Sequence, residues 1–364
     1  MINYSRRRQK LWTELQARRL DGAVVSHPSN RHYLSGFSAT DGGPNELAAV
    51  AMIGEHSTLL TGATNTAWAR AEASGCEVVQ WERPWTKTVA EIITSLRWER
   101  VGFEERAISV ADFDAIKEKL SPAIAWVTVD DMLQSHRSIK DAAEVEALRA
   151  AIALTDQVFE ALAGWMRAGQ TEREIAWGIE RQFRDRGGEG AAFPTIVAAG
   201  PHAARPHHNS GDRPVQEGEP IIIDMGATLA GYHGDLTRTV WFGPDTGRLR
   251  EVYNVTSQAN LAGLSAVGPD VPAKVIDESA RSVIEKAGFG DFFVHGVGHG
   301  LGLQVHESPS VSKTSTDVLK VGQVITIEPG IYSPEWGGVR IEDVAVVTES
   351  GCSVLTTASK RERA

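Results

Sequence analysis

Two textures of apolar and polar positions follow one another along this chain. From the N-terminus to about residue 130, stretches with helical spacing alternate with short apolar, β-branched runs. Helical periodicity covers Arg6 to Leu20, Ala63 to Ser74, Thr86 to Leu96 and Val110 to Leu120. Strand patterns occupy Gly22 to Val25, Leu47 to Ile53, Thr58 to Leu60, Cys76 to Val79 and Ile124 to Val129. Such alternation predicts a small α/β domain.

The texture changes near Asp131 to Asp141, which places two domains at residues 1–133 and 134–364. Asp141 with Glu144, and Thr171 with Glu174, each match a capping box at the start of a helix. After Gly187-Gly188 come strands separated by glycine- and proline-rich turns, clearest at Ile221 to Met225 and Thr237 to Trp241. Helices are expected over Arg248 to Val267 and Pro272 to Ala287. Two last strands, Val324 to Glu328 and Val339 to Val347, close the pattern. The second domain is therefore expected to be α+β, its strands paired antiparallel through connections at 226–234 and 329–338.

Length agrees with two domains, since 364 residues exceed one ordinary core. A formal charge of −10 argues against a general nucleic-acid binder, because no basic excess is present to neutralise phosphates. Cys76 and Cys352 are far apart and form no Cys-x-x-Cys pattern, so a disulfide framework or thiolate zinc site is not expected and a reducing cytoplasm is. Ser5-Arg6-Arg7-Arg8 has a trace of a twin-arginine signal, but an amphipathic helix follows it rather than an apolar run. No stretch approaches the roughly 20 apolar residues that span a bilayer.

The informative acids are those placed where a strand should be apolar. Asp224 follows three isoleucines, Glu328 closes Val-Ile-Thr-Ile, and Glu342 sits between Ile341 and Asp343-Val344-Ala345-Val346. An ionised carboxylate there is costly unless paired, hydrogen-bonded or metal-bound. One such acid is as readily a strand-end residue turned to solvent; three in like settings favour a site. Asp235 joins them through the turn Gly231-Tyr232-His233-Gly234-Asp235, which would return it beside Asp224. Four carboxylates from two hairpins could hold a pair of divalent ions, and one imidazole would bias the site towards manganese, cobalt, zinc or iron rather than calcium. That imidazole is sought in His295-Gly296-Val297-Gly298-His299-Gly300-Leu301-Gly302, where a plain glycine-rich loop and a phosphate cradle are the alternatives. No Gly-Lys-Ser/Thr follows, which weighs against phosphate. His207 and His306 are further candidates, although a single histidine is more often structural.

Taken in order, Phe193-Pro194-Thr195-Ile196-Val197, Pro206-His207, Asp224-Met225-Gly226, Gly231-Tyr232 with Asp235-Leu236-Thr237-Arg238-Thr239, the His295 to Gly302 loop, His306-Glu307, Glu328-Pro329-Gly330 and Gly338-Val339-Arg340-Ile341-Glu342-Asp343 resemble the pita-bread metallopeptidases. The branch most similar is that of prolidase (Xaa-Pro dipeptidase) and aminopeptidase P. Upstream, His27-Pro28-Ser29-Asn30-Arg31-His32-Tyr33-Leu34-Ser35-Gly36-Phe37 resembles the creatinase-type N-terminal domain of that branch. The implied fold is an α/β creatinase-type domain followed by an α+β pita-bread catalytic domain. The implied cage is Asp224 on one ion, His299 and Glu328 on the other, and Asp235 and Glu342 bridging. Such a pair, roughly 3.5–4 Å apart, lowers the pKa of a shared water and makes a bridging hydroxide available as nucleophile. The resemblance further implies Glu328 as general base, His207 and His306 as stabilisers of the scissile carbonyl and oxyanion, His295 and Arg340 as substrate-pocket residues, and Thr237 as a hydrogen-bond partner of a ligand carboxylate. It implies manganese, with cobalt or zinc possible in its place, and a homodimer acting on Xaa-Pro dipeptides or short peptides, with no nucleic acid and no membrane.

Two positions depart from the pattern. Ser310 follows His306-Glu307-Ser308-Pro309 where many prolidases carry an arginine for the product-side carboxylate, so aminopeptidase P activity on longer Xaa-Pro-Xaa peptides is the alternative. His208 stands after His207 where an aromatic such as tyrosine is expected, a change expected to tune the pocket. The turn-rich segment Asp41-Gly42-Gly43-Pro44-Asn45 reads as a surface loop, with cover for a partner's site as the second reading. A creatinase-type amidinohydrolase and a non-catalytic pita-bread binding module are expected to lack the ligands present here, and methionine aminopeptidase usually lacks the N-terminal domain.

Overall fold

A computed structural model describes residues 2–43 and 46–360, so Pro44 and Asn45 of the turn-rich segment lie outside the described residues. The chain forms two compact units, Met1–Arg137 and Ser138–Ala364.

The first unit is built on six strands: β1 (Gly22–Val25), β2 (Ala49–Ile53), β3 (Ser57–Thr61), β4 (Glu77–Gln80), β5 (Arg100–Phe103) and β6 (Ala125–Thr128). They form one sheet in the order β4-β3-β2-β1-β5-β6. Pairing is antiparallel within β1-β2-β3 and parallel at β3/β4, β1/β5 and β5/β6. Helices α1 (Tyr4–Ala17), α2 (Pro28–Ser35), α3 (Thr66–Glu72), α4 (Trp85–Ser95), α5 (Val110–Lys117) and α6 (Asp130–Ser138) accompany it. Val24, Val50, Met52, Leu60, Val89, Ile93 and Val101 form the core on one side. The helix α6 was not anticipated: Asp130-Asp131 and Gln134-Ser135 interrupt its apolar spacing, so the pattern read as a boundary.

The second unit opens with α7 (Ala142–Ala161) and α8 (Glu172–Asp185), and both expected capping boxes are formed at Asp141/Glu144 and Thr171/Glu174. Its strands are β7 (Gly190–Ala191), β8 (Ile196–Ala199), β9 (Ile221–Met225), β10 (Ala227–Leu229), β11 (Tyr232–His233), β12 (Leu236–Val240), β13 (Gly298–Gly300), β14 (Glu307–Val311), β15 (Val324–Ile327), β16 (Gly330–Ser333), β17 (Gly337–Arg340), β18 (Asp343–Thr348) and β19 (Gly351–Val354). Between β12 and β13 lie α9 (Arg248–Ala266) and α10 (Ala273–Lys286). The strands group as β12-β9-β8, β14-β13-β15-β18-β19, β16-β17 and β11-β10-β7.

Two helix pairs each bury one sheet face. Val158 and Phe159 of α7 and Ile175, Ile179 and Phe183 of α8 pack on Val197, Ile221, Ile223 and Val240. Val252 and Ala259 of α9 and Ile276, Ala280 and Ile284 of α10 pack on Ile325, Ile327, Val339, Ile341, Ala345 and Val347. Because strand side chains alternate, the residues between these core positions project from the opposite faces: Ile222 and Asp224, Thr237 and Thr239, Thr326 and Glu328, Arg340 and Glu342. That period-two rule explains how an acid can follow three isoleucines without entering the core.

One expectation needs correction. Val339 to Val347 is not a single strand. The chain leaves β17, which pairs with β16, and enters β18, which pairs with β15 and β19, so Ile341-Glu342 lies at the crossing between two sheets. The connection expected at 329–338 is likewise a hairpin of its own, and that at 226–234 contains β10 and β11.

Candidate metal centre

Asp224, next to last in β9, lies opposite Thr237 of β12, and the turn between the strands returns Asp235 to the same end of the sheet. The turn is tight: a Cβ at Gly226 would overlap the Gly234 carbonyl. Glu328 follows β15, its amide donating to Val297 O at 2.7 Å, and the Glu342 amide donates to Thr237 O at 3.1 Å. These backbone bonds tie the acids' chain segments together. Carboxylate oxygens of Asp224, Asp235 and Glu342 come within 4.8 Å of one another.

His299 completes the cluster from β13. Its Nε2 lies 3.3 Å from Glu328 Oε1 and 3.7 Å from Asp235 Oδ2, while Nδ1 is 3.0 Å from Gly300 O and donates there, leaving Nε2 to face the acids. The register slips between His299 and Gly300 as β13 pairs with β14, a bulge of the kind that re-aims a side chain. Glycine is required on both sides: a Cβ at Gly298 would overlap Thr326 O, and one at Gly300 would overlap Ser308 O. The glycine-rich loop is thus a strand packed backbone against backbone.

The electrostatics are those of acids crowded without enough countercharge. Burial pushes the Glu342 carboxyl up to about 8, helped by the charges of Glu328 and Asp224. Burial with Glu342, Asp224 and Glu328 raises Asp235 well above the ordinary range, and burial raises Asp224 despite the Arg340 guanidinium. Glu328 goes the other way: burial would raise it, but the bond to His299 and the charges of His299, His295 and Arg340 bring it down to about 2. His299, which burial would lower, is lifted to about 9 by Glu328. One oxygen, Glu342 Oε1, is buried and has no hydrogen-bond partner among the described residues. Buried acids that cannot all ionise, an orphaned oxygen and an adjacent imidazole are the donor chemistry a divalent ion satisfies.

Around this cluster lies a cavity of about 840 Å³, lined among others by His207, His295, His306 and Arg340. The rings of His299 and His306 meet edge to face at 4.3 Å. Burial lowers His306, as does the neighbouring His299 charge. His295 Nδ1 donates to Gly296 O at 2.7 Å, so its Nε2 accepts from the Tyr332 hydroxyl at 2.8 Å, and that hydroxyl oxygen accepts from Arg340 Nη1 at 2.9 Å. Arg340 Nη2 donates to Asp224 Oδ2 at 2.6 Å. Asp224, Asp235, His299, Glu328, Glu342, His207, His295, His306 and Arg340 thus all line one cavity.

Residues 146–349 match the family described as Metallopeptidase family M24, and residues 7–139 match the Creatinase/Prolidase N-terminal domain. The chain belongs to metallopeptidase family M24. M24 relatives cover it end to end. An Xaa-Pro dipeptidase of Pyrococcus furiosus is 35% identical over 350 residues, 96% of this chain and 97% of the relative. Among solved structures, the Xaa-Pro dipeptidase from Bacillus anthracis superposes with a TM-score of 0.93 at 30% identity, covering 99% of each chain. An X-Pro aminopeptidase from Thermotoga maritima gives 0.89 at 31% identity, covering 98% of this chain and 99% of its own. The protein accordingly has the creatinase-type N-terminal domain followed by the pita-bread catalytic domain of these hydrolases, and the family's divalent ions have a matching donor set here.

A further residue of this network carries no signal in the sequence. Tyr332, pushed up to about 12 by burial, joins His295 to Arg340; in the sequence it is one aromatic in a short apolar run, with nothing to single it out. Thr237 Oγ1 donates to Glu342 Oε2 at 2.9 Å. His208 lines the cavity but turns its Nε2 to the buried carboxylate of Glu172, 2.8 Å away. Ser310 lines the cavity too, its amide bonded to Asp317 Oδ2 at 3.0 Å.

Proposed function

We propose that this protein is an Xaa-Pro dipeptidase that works with two divalent ions. Asp224, Asp235, His299, Glu328 and Glu342 would hold the pair. The observation that carries the reading is the buried, under-compensated acid cluster beside His299, with Glu342 Oε1 left without a partner. When bound, the ions supply Lewis acidity and a water of lowered pKa. Glu328, kept ionised by His299, takes up the proton of the attacking water and passes it to the leaving imino nitrogen. His306, kept neutral at neutral pH by burial, donates with His207 to the carbonyl oxygen as it becomes tetrahedral. His295 and Arg340, fixed through Tyr332, line the substrate side of the cavity. An Xaa-Pro bond suits this centre because its nitrogen carries no N–H and the free α-amine can approach an acidic cage. Similarity to the Pyrococcus and Bacillus Xaa-Pro dipeptidases supports this substrate class. Manganese is the proposed ion, with the homodimer as the working form and the cytoplasm as its compartment.

The second reading, an aminopeptidase P acting on longer Xaa-Pro-Xaa peptides, is favoured by Ser310 in place of an arginine and by the similarity to the Thermotoga X-Pro aminopeptidase. Turnover of Xaa-Pro dipeptides and Xaa-Pro-Xaa tripeptides, measured on metal-stripped protein resupplied with manganese, cobalt or zinc, separates the two. Preference for the dipeptide is expected; preference for the tripeptide establishes the second reading, and no turnover with any ion overturns both.

A further inference from the structure

Outside the acid cage, the second unit holds another gathering of ligand-type side chains, Glu172, His202 and His208. Glu172 is the first residue of α8 and its side chain is fully buried. Its Oε1 accepts from the Ala199 amide at 2.9 Å and faces His202 Nδ1 at 2.9 Å. Its Oε2 accepts from the Gly211 amide at 3.1 Å and faces His208 Nε2 at 2.8 Å. Burial alone would raise this carboxyl; the amides of Ala199 and Gly211 and the two imidazoles bring it below the ordinary range. Each oxygen already carries its donors at hydrogen-bond distance, in contrast to the orphaned oxygen of Glu342. The cluster is therefore closed by protons rather than waiting for an ion.

What the four donors share is one segment of chain. Ala199 ends β8, Gly211 lies twelve positions on, and His207 projects into the cavity from between them. No hydrogen bond from a described residue holds the His207 ring, so its place is set by its backbone. At its ends that backbone is tied by the Gly200 amide, which donates to Pro220 O at 2.8 Å, and by Gly211 O, which accepts from the Arg173 amide at 2.9 Å. Nearer His207 it is held by Ser210, whose hydroxyl accepts from the Val197 amide and donates to Thr195 O, and by Arg340, which reaches Pro206 O at 3.3 Å. We propose that Glu172 is a positioning residue that, by gripping Ala199, His202, His208 and Gly211 at once, fixes the 199–211 segment and so aims His207 at the scissile carbonyl. His208, where an aromatic is the family's expectation, is then the second half of the clamp rather than a pocket-tuning side chain. The inference rests on the proposed use of His207.

The test is a double-mutant cycle on the metal-loaded enzyme with an Xaa-Pro dipeptide, comparing Glu172→Gln, His207→Ala and both together, with bound metal counted in each. Glu172→Gln is expected to lower kcat about 10- to 100-fold with little change in KM, the scale of a roughly 1 Å misplacement. The double variant is expected to be no slower than His207→Ala alone, because a clamp that acts only through His207 has nothing left to aim. His208→Gln, which keeps a donor towards the carboxylate, should retain most activity, whereas His208→Leu should fall towards Glu172→Gln. Where Glu172→Gln does not fold, His208→Leu carries the same cycle. Losses that multiply in the double variant overturn the clamp, as does loss of bound metal in Glu172→Gln, which would make the cluster a metal site or a prop of the cage. A slow His207→Ala beside a fully active Glu172→Gln overturns the clamp alone; a fully active His207→Ala overturns the use of His207 as well.

Discussion

Thr237 shows how much of the centre hangs on single hydrogen bonds. Its hydroxyl donates to Glu342 Oε2 at 2.9 Å and accepts from Arg340 Nε at 3.1 Å, while the far end of that guanidinium holds Asp224. One side chain therefore orients an acid from each hairpin. Thr237→Val keeps the shape and removes both bonds, and is expected to weaken metal affinity about 10- to 100-fold, the usual effect of removing a partner from a ligand; titration of stripped protein with manganese checks this, and an unchanged affinity would show that Glu342 orients itself. Asp235→Asn and His299→Ala go further. Each removes a proposed ligand, so metal-dependent cleavage should vanish while far-UV circular dichroism stays that of the parent, since neither side chain belongs to a hydrophobic core. Full activity in either would sink the two-ion mechanism.

Among the elements, α9 ties the two ligand-bearing strand ends together. Asn260, fully buried, donates from Nδ2 to Ile327 O at 2.8 Å and to Ile341 O at 3.5 Å, the carbonyls immediately before Glu328 and Glu342. Its Oδ1 accepts from Lys360 Nζ at 2.8 Å. Asn260→Leu would strand these carbonyls and is expected to cost about 1–3 kcal/mol in urea unfolding, with a parallel loss of metal affinity; a stability loss with affinity intact would confine Asn260 to holding the fold. Such cross-element bonds are invisible in a sequence, where Asn260 is one polar residue in an amphipathic helix. What the sequence does carry is alternation and breakers. Asp224 and Glu328 were legible because they interrupt apolar runs whose period is two. Asp235 and His299 were legible through the glycines that backbone packing demands. The division between β17 and β18 was not, because Val339, Ile341, Val344 and Val346 continue an apolar run across a change of sheet with no glycine or proline to mark it. Tyr332 and Glu172 escaped for a related reason: each acts through partners far away in the chain, and only the folded arrangement supplies them.

At the scale of the whole molecule, the cage makes stability depend on pH and metal together. Glu342 in the folded protein titrates at about 8, above the ordinary carboxylate range, and His299 at about 9, above the ordinary imidazole value. Both folded-state values are raised, so the metal-free native state binds more protons than the unfolded chain. The stability these protons confer is present below the ordinary pKa values and is lost as pH rises through about 8 and about 9. Glu328, lowered to about 2, has the opposite sign, but its contribution is complete above the ordinary carboxylate range and is lost only in acid. Burial lowers the His27, His136, His295 and His306 imidazoles, whose opposite contribution is complete once pH exceeds the ordinary imidazole value. Between pH 7 and 9 the two raised groups therefore set the direction, and the melting temperature of metal-stripped protein should fall by several degrees. A net charge of −10 adds self-repulsion of the same sign as histidines and raised acids lose their protons. Divalent ions replace those protons as partners of the carboxylates, so saturating manganese should flatten or reverse the slope, and binding near pH 7 should release protons into a weakly buffered solution. Scanning calorimetry with and without metal, paired with a pH-stat titration, measures both quantities on the same sample. A metal-free melting temperature that climbs from pH 7 to 9, or metal binding without proton release, would mean that the buried acids are already ionised and compensated from within the protein, and the crowded cage would not be a site poised for cations.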